Sequence, residues 1–128
     1  MRILIADDHE VVRKGVRSLL ESQDDQNITE ASNGREAVDI ASEMSPDLVV
    51  LDVTMPILDG LSAAKQIKKA LPRVPIVILS IHNGPEMMRA TQRAGADAFV
   101  TKSDLGSVLL KAVEAVMQGK TYFSESLG

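Results

Sequence analysis

The chain has 128 residues, no cysteine and a formal net charge of −4 from 14 basic and 18 acidic side chains. That length suits one domain with one continuous core, and the lack of cysteine excludes a disulfide framework, a thiolate metal site and a cysteine nucleophile. The acidic balance argues against a surface that grips nucleic acid, and an aromatic share of 2% leaves the core to Val, Ile, Leu, Ala and Met.

No apolar stretch approaches the roughly 20 residues that span a bilayer. The start, Met1-Arg2-Ile3, runs directly into a strand-like segment without a signal-peptide layout. A cytoplasmic location is therefore expected. Along the chain, apolar β-branched runs alternate with segments of helical period, which is the pattern of a parallel α/β sheet. The first strand is predicted over Arg2 to Ala6 and the first helix over Val11 to Ser22, with Val12, Val16 and Leu19 on one face. Asn27 to Ala31 is the least apolar strand and so the expected edge. The second helix runs from Asn33 to Met44, and Asn33 with Glu36 forms a predicted capping box. Strand 3 covers Asp47 to Leu51, helix 3 Asp59 to Leu71, and strand 4 Val74 to Leu79.

Helix 4 is placed near Asn83-Gly84-Pro85-Glu86, with Asn83 as its cap and Pro85 in the first turn, where a missing N–H is harmless. Strand 5 spans Asp97 to Thr101, and helix 5 spans Asp104 to Gln118, stopped by Gly119. The expected fold class is α/β, a single doubly wound five-stranded parallel sheet of flavodoxin-like architecture. Right-handed crossovers with helices on both faces require the strand order to reverse once. The order 2-1-3-4-5 puts that reversal beside Asp7, Asp8 and Asp52.

Asp7-Asp8, Asp52, Ser80 and Lys102 all stand at the ends of apolar runs, so they should emerge together at the carboxyl edge of the sheet, where ligands bind in this architecture. Three carboxylates, a hydroxyl and an ammonium make an ion-and-phosphate site. Asp8 and Asp52 could supply carboxylates to Mg²⁺, with Asp7 holding a bound water and the Thr54 backbone carbonyl completing the protein's share. Asp52, between the acidic pair and Lys102, is the candidate nucleophile for an aspartyl phosphate. Lys102 would meet one phosphoryl oxygen as a point charge, and the Ser80 hydroxyl would donate to another. Asp59 and Gly60 read as a cap and a close-packing residue, Pro56 as a loop former, and His9 and His82 as exposed bystanders. Met87 and Met88 open helix 4 as core or partner surface.

These residues carry a resemblance. Asp7-Asp8-His9, Leu51-Asp52-Val53-Thr54-Met55-Pro56-Ile57-Leu58-Asp59-Gly60, Ser80 and Phe99-Val100-Thr101-Lys102 resemble the receiver domain of two-component response regulators, in order and spacing, over roughly residues 1–118. The resemblance implies that Asp52 accepts a phosphoryl group from a sensor histidine kinase, that Asp7 and Asp8 hold Mg²⁺, and that Ser80 and Lys102 bind the phosphate. It makes Phe99 the switch aromatic, turning inward when Ser80 moves toward phosphate. It further implies a switch rather than a multiple-turnover enzyme, limited to self-phosphorylation and slow self-dephosphorylation.

Two departures stand out. Ser103 follows Lys102 where most receivers have proline, and Lys102-Ser103-Asp104 is similar to the NarL/FixJ subfamily, whose output is a LuxR-type helix-turn-helix. Ile81 follows Ser80 where many receivers carry a smaller residue, which would narrow access to Asp52. Residues 119–128 resemble the start of the linker to such a helix-turn-helix, with Tyr122 or Phe123 docking back on the body. On this reading the protein pairs through helices 1 and 5 when phosphorylated and meets DNA only through a C-terminal domain outside this chain, controlling transcription. A haloacid-type phosphatase fits less well, because Thr54 stands where its general acid would be. A flavodoxin-like carrier is disfavoured because Asp7-Asp8 would repel a flavin phosphate.

Overall fold

The computed structural model describes residues 1–22 and 25–123. Five strands, β1 (Arg2–Ala6), β2 (Asn27–Ala31), β3 (Leu48–Asp52), β4 (Ile76–Ser80) and β5 (Ala98–Thr101), form one parallel sheet in the order β2-β1-β3-β4-β5. The helices are α1 (Glu10–Glu21), α2 (Gly34–Met44), α3 (Gly60–Ala70), α4 (Pro85–Arg93) and α5 (Leu105–Met117), the last preceded by a short 3-10 turn over Lys102–Asp104. Both the expected order and the expected edge position of β2 are found.

Strand alternation divides the core into two layers. Leu4, Ala6, Val49, Leu51, Ile76, Ile78 and Phe99 face α2, α3 and α4. Ile3, Ile5, Leu48, Val50, Val77, Leu79 and Val100 face α1 and α5. Every residue of β3 and β4 is buried, as expected of strands covered on both sides. Each fully buried Leu or Ile contributes about 1.5–3 kcal/mol, so these central strands contribute heavily to the stability of the sheet. They carry Asp52 and Ser80 as their last residues.

Differences from the sequence reading are local and have physical causes. Asp52 and Ser80 lie inside their strands because β3 and β4 both run one residue further than the apolar runs; Asp52 still pairs with Leu79 in the ladder. Strand 4 starts at Ile76 rather than Val74: the Ile76 amide is taken by the Asp97 side chain at 2.9 Å. The cap of α4 is Gly84, not Asn83, and no side chain caps it. Pro85 at the first helical position excludes helical geometry from the residue before it, and Gly84 accordingly sits at φ 140°, a region open to glycine. At α2 the Asn33 side chain accepts from the Glu36 amide at 2.8 Å, but Glu36 reaches back to the Ser32 amide instead of that of Asn33. Helix 5 begins at Leu105, because the Asp104 carboxylate accepts from the Thr101 hydroxyl within the preceding 3-10 turn.

Gly119 ends α5 with φ 81° and its amide bonded to the Val116 carbonyl. The chain then turns back onto the far edge of the sheet. Tyr122 forms a parallel bridge with Ala98: its amide donates to the Asp97 carbonyl at 2.9 Å, and its carbonyl accepts from the Phe99 amide at 3.0 Å. Tyr122 packs on the α1–α5 side and Phe123 on the α4 side, in the layer that holds Phe99. Both aromatics dock, where the sequence suggested one. The rest of the expected linker, residues 124–128, lies outside the described residues.

Candidate functional site

The site sits at the carboxyl edge where β1 and β3 adjoin. β1 ends at Ala6, and the buried Asp7 follows it, its amide donating to the Ala31 carbonyl of β2 at 3.1 Å. Its Oδ1 accepts from the His9 amide at 2.9 Å. Asp52 is 3% exposed. Lys102, on the turn after β5, brings its Nζ to 3.0 Å from Asp52 Oδ1 and 3.1 Å from Asp7 Oδ2. Asp8 stands nearer the surface. The structure therefore brings together Asp7, Asp8, Asp52 and Lys102, residues separated by up to 95 positions in the chain.

Two features fit a divalent cation with oxygen ligands. Ligand atoms of Asp7, Asp8, His9 and Asp52 lie within 4.8 Å of one another. Asp7 Oδ2 is buried and, despite the nearby ammonium, has no properly directed hydrogen bond among the described residues. A buried acceptor left in that condition is costly, and a hard cation with several waters would satisfy it. Thr54 is exposed in the loop after β3, and its carbonyl accepts no hydrogen bond among the described residues. His9 enters the cluster geometrically: its Nδ1 lies 3.4 Å from Asp8 Oδ1. The sequence reading had set His9 aside, and its largely exposed ring at the start of α1 leaves it at the rim.

Burial raises the Asp52 carboxyl above its ordinary value, against the lowering pull of Lys102; the Asp7 charge pushes it further up. Burial acts to lower the Lys102 ammonium, but the contacts to Asp52 and Asp7 outweigh it and hold the group above its usual value. The arrangement is an acidic pocket with one built-in cation.

Ser80 is buried at the end of β4, and its hydroxyl oxygen accepts from the His82 amide at 2.9 Å. It makes no hydrogen bond to Asp52 among the described residues. Phe99 is 5% exposed, already inside the α4 layer. Ile81 is 72% exposed and so stands out from the pocket instead of filling it. With Val11 and Ile57, it makes three large apolar side chains exposed on the α1, β3–α3 and β4–α4 segments. Ile57 sits at the apex of a tight turn closed by Leu58 N to the Pro56 carbonyl at 2.7 Å, with φ 71°, a strained value for a β-branched residue. Asp59 caps α3 by accepting from the Ser62 amide at 2.9 Å. Gly60 packs so tightly that a Cβ there would lie 1.9 Å from the Asp52 carbonyl oxygen.

Sequence reasoning missed Arg13. Its guanidinium donates to the Asp7 carbonyl at 2.7 Å and pairs with Glu30 on β2. A cation one helical turn beyond the acidic pair, opposite an isolated acid on a short edge strand, was the available signal.

Comparison with known proteins gives a consistent result. Residues 3–114 match the family model described as the response regulator receiver domain. The chain is 36% identical over 124 residues to the uncharacterized transcriptional regulatory protein YxjL of Bacillus subtilis, covering 96% of this chain and 57% of that protein. It is 36% identical over 125 residues to the response regulator protein VraR of Staphylococcus aureus, covering 96% and 59% respectively. The chain thus spans less than two thirds of the length of these relatives. Among solved structures, a LuxR-family two-component response regulator from Aurantimonas superposes with a TM-score of 0.89 at 34% identity, over 94% of this chain and 87% of that one. The isolated receiver domain of RcsB from Salmonella enterica, in the presence of the phosphomimetic BeF3−, gives 0.87 at 28% identity, over 98% and 94%.

Proposed function

The chain belongs to the response regulator receiver family, and on that premise we propose that it is a signalling switch whose phosphoacceptor is Asp52, charged by a sensor histidine kinase. The observation that carries this reading is the buried Asp52 held by Lys102 beside Asp7 and Asp8. Lys102 engages Oδ1, which leaves Oδ2 as the attacking oxygen. That oxygen bonds to phosphorus as the P–N bond of the donor's phosphohistidine breaks; the bonding pair returns to that nitrogen, and with the other ring nitrogen carrying a proton the donor's histidine side chain leaves as neutral imidazole. Asp7, Asp8 and Asp52, with the Thr54 carbonyl, would hold Mg²⁺, which supplies neutralisation of the carboxylates and of the incoming phosphoryl oxygens. Lys102 is positioned to follow a phosphoryl oxygen as charge arrives, and rate enhancement comes from placement and charge compensation. Slow self-dephosphorylation uses the same groups.

The switch follows from Ser80. A phosphoryl group on Asp52 offers the Ser80 hydroxyl hydrogen a charge-assisted acceptor. The hydroxyl oxygen now accepts from the His82 amide, so reaching the phosphoryl group requires the side chain to move or the β4–α4 loop to follow it. Moving Ser80 disturbs the packing of Phe99 and of the face built by α4, β5 and α5. The exposed Val11, Ile57 and Ile81 around the acidic mouth suit a helical kinase partner with an apolar face. The α1–α5 side, with its groove lined by Leu20, Leu110, Val113 and Met117, suits a homodimer. The LuxR-family likeness supports output through transcription, with DNA met by a C-terminal helix-turn-helix joined through residues 119–128, in a cytoplasmic protein of NarL/FixJ type. Intact-mass measurement after acetyl phosphate treatment tests the core of this reading. A single Mg²⁺-dependent phosphoryl adduct, absent in Asp52→Asn, is expected; labelling of that variant, or labelling indifferent to chelator, overturns it.

A further inference from the structure

The acidic pocket is tethered from behind by Arg13, a residue outside the cluster that could hold a cation. Asp7 has both of its backbone hydrogen-bonding groups engaged: the amide donates to the Ala31 carbonyl, and the carbonyl accepts from Arg13 Nη1 at 2.7 Å. Arg13 is held in turn. Its Nε pairs with Glu30 Oε1, and the other carboxylate oxygen of Glu30 accepts from Arg17 Nη1 at 2.7 Å. Arg17 also bonds Glu21 at 2.9 Å. The side chains of Arg13 and Glu30 are largely shielded from solvent, at 15% and 19% exposure. The result is a chain of directed contacts from edge strand β2, through α1, to the residue whose buried carboxylate faces Lys102.

We propose that Arg13, clamped by Glu30, is a positioning residue for the divalent-cation site, fixing the Asp7 peptide and with it the directions of the Asp7 and Asp8 carboxylates. This inference rests on the Mg²⁺ site proposed above. Two opposite effects of Arg13 can be separated by sign. As a mere positive charge near three carboxylates, it repels a cation, so removing it would tighten Mg²⁺ binding. As a clamp, it narrows the turn Asp7-Asp8-His9 to one arrangement, so removing it loosens binding. The geometry favours the clamp: the guanidinium charge is matched by Glu30, and its donor is aimed at a backbone carbonyl. Groups that orient metal ligands from outside the coordination sphere typically account for about 10–100-fold in affinity.

The experiment is a titration of the 128-residue chain with Mg²⁺, followed by calorimetry and by the amide shifts of Asp7, Asp8 and His9. Arg13→Gln should bind Mg²⁺ about tenfold more weakly. Arg13→Lys should not recover the loss, because one ammonium cannot serve Glu30 and the Asp7 carbonyl in the fork geometry of a guanidinium. Glu30→Gln, which leaves Arg13 unclamped, should weaken binding in the same direction by a smaller factor. If Arg13→Gln does not fold, the other two variants decide the matter. Phosphoryl labelling by acetyl phosphate should return to the wild-type rate at saturating Mg²⁺ in every folded variant. Binding by Arg13→Gln as tight as wild type or tighter overturns the clamp while leaving the metal site standing. A rate that stays low at saturating Mg²⁺ also overturns it. A wild-type chain that binds no Mg²⁺ removes both the site and the clamp.

Discussion

Replacing Gly60 by alanine probes the joint between Asp52, the proposed acceptor, and the helix that backs it. A Cβ at this position would lie 1.9 Å from the Asp52 carbonyl oxygen, 2.8 Å from the Asp52 carbonyl carbon and 3.0 Å from the Val53 Cα, all backbone atoms that cannot rotate away. Restoring ordinary contact means parting β3 and the start of α3 by about 1.5 Å. The Gly60 amide also donates to the Val53 carbonyl at 2.8 Å, so separation strains or breaks that bond as well. Overpacking of this kind costs about 1–3 kcal/mol, and the rigid neighbours place Gly60→Ala at the upper end, about 3 kcal/mol. The better helix propensity of alanine offsets less than about 1 kcal/mol of that. For a domain of this size the net loss lowers Tm by roughly 10 °C, which leaves a folded protein at 25 °C. The acceptor moves with its own carbonyl, and a misplacement near 1 Å can slow a positioned reaction about 100-fold. Urea denaturation gives the stability, and intact-mass kinetics with acetyl phosphate give the labelling rate. Gly15→Ala is the control, since a Cβ there meets nothing within 4 Å; it should leave labelling alone and stabilise by about 0.5–1 kcal/mol. A Gly60→Ala protein within about 0.5 kcal/mol of wild type, labelled at the same rate, would refute the claim that this contact fixes Asp52.

Asp52→Asn should gain stability relative to wild type as pH rises. The folded-state pKa of Asp52 is raised by burial above the ordinary 3.8, so the wild type loses stability as pH climbs through that raised value and the carboxylate ionises. A difference between the two proteins that stays constant from pH 4 to pH 8 in urea melts without Mg²⁺ contradicts this. Ile57→Gly should stabilise by about 1 kcal/mol, because a strained turn residue costs about 1–3 kcal/mol and glycine returns part of it as unfolded-chain entropy; loss of stability in a thermal melt sinks the strain argument. The same variant should accept phosphate from a kinase more slowly, with acetyl phosphate labelling unchanged, if the exposed Ile57 contacts the partner. Phe123→Ala should cost about 1–2 kcal/mol from its partly buried ring, packed on the core layer that holds Phe99, read in the same denaturation assay; a change below about 0.3 kcal/mol means the ring contributes nothing by packing there.

The sheet and its order were legible because each strand announces itself by a run of Ile, Leu and Val, and handed crossovers then allow few arrangements. The strand-end residues Asp7, Asp52, Ser80 and Lys102 were legible for the same reason: the end of an apolar run fixes a side chain's place in three dimensions. What stayed hidden was of two kinds: the choice between neighbouring caps and donors, and contacts between segments far apart in sequence. Asn33 and Glu36 read as a reciprocal box, yet the Ser32 amide proved the better-placed donor to Glu36. Asn83 read as a cap on residue type alone, whereas the fixed geometry of Pro85 decided for Gly84. Arg13 was passed over because nothing local shows that Glu30 on β2 and the Asp7 carbonyl both lie within its reach.

The C-terminal bridge extends this point to the switch. β5 is the sheet edge opposite β2, and an unpaired edge offers its amides and carbonyls to any passing strand. Here the chain uses its own residues: after the left-handed turn at Gly119, Tyr122 takes the Asp97 carbonyl and the Phe99 amide. With Tyr122 opposite Ala98, Phe123 falls on the α4 side and packs against the core cluster that holds Phe99. The layer that holds Phe99 therefore includes a side chain from the segment that follows α5. A rearrangement that repacks the layer around Phe99 disturbs the cluster against which Phe123 sits, six residues past the end of α5 and within the proposed linker. The sheet edge thereby joins the layer that holds Phe99 to residues of the proposed linker, through the backbone bonds of Tyr122 and the packing of Phe123.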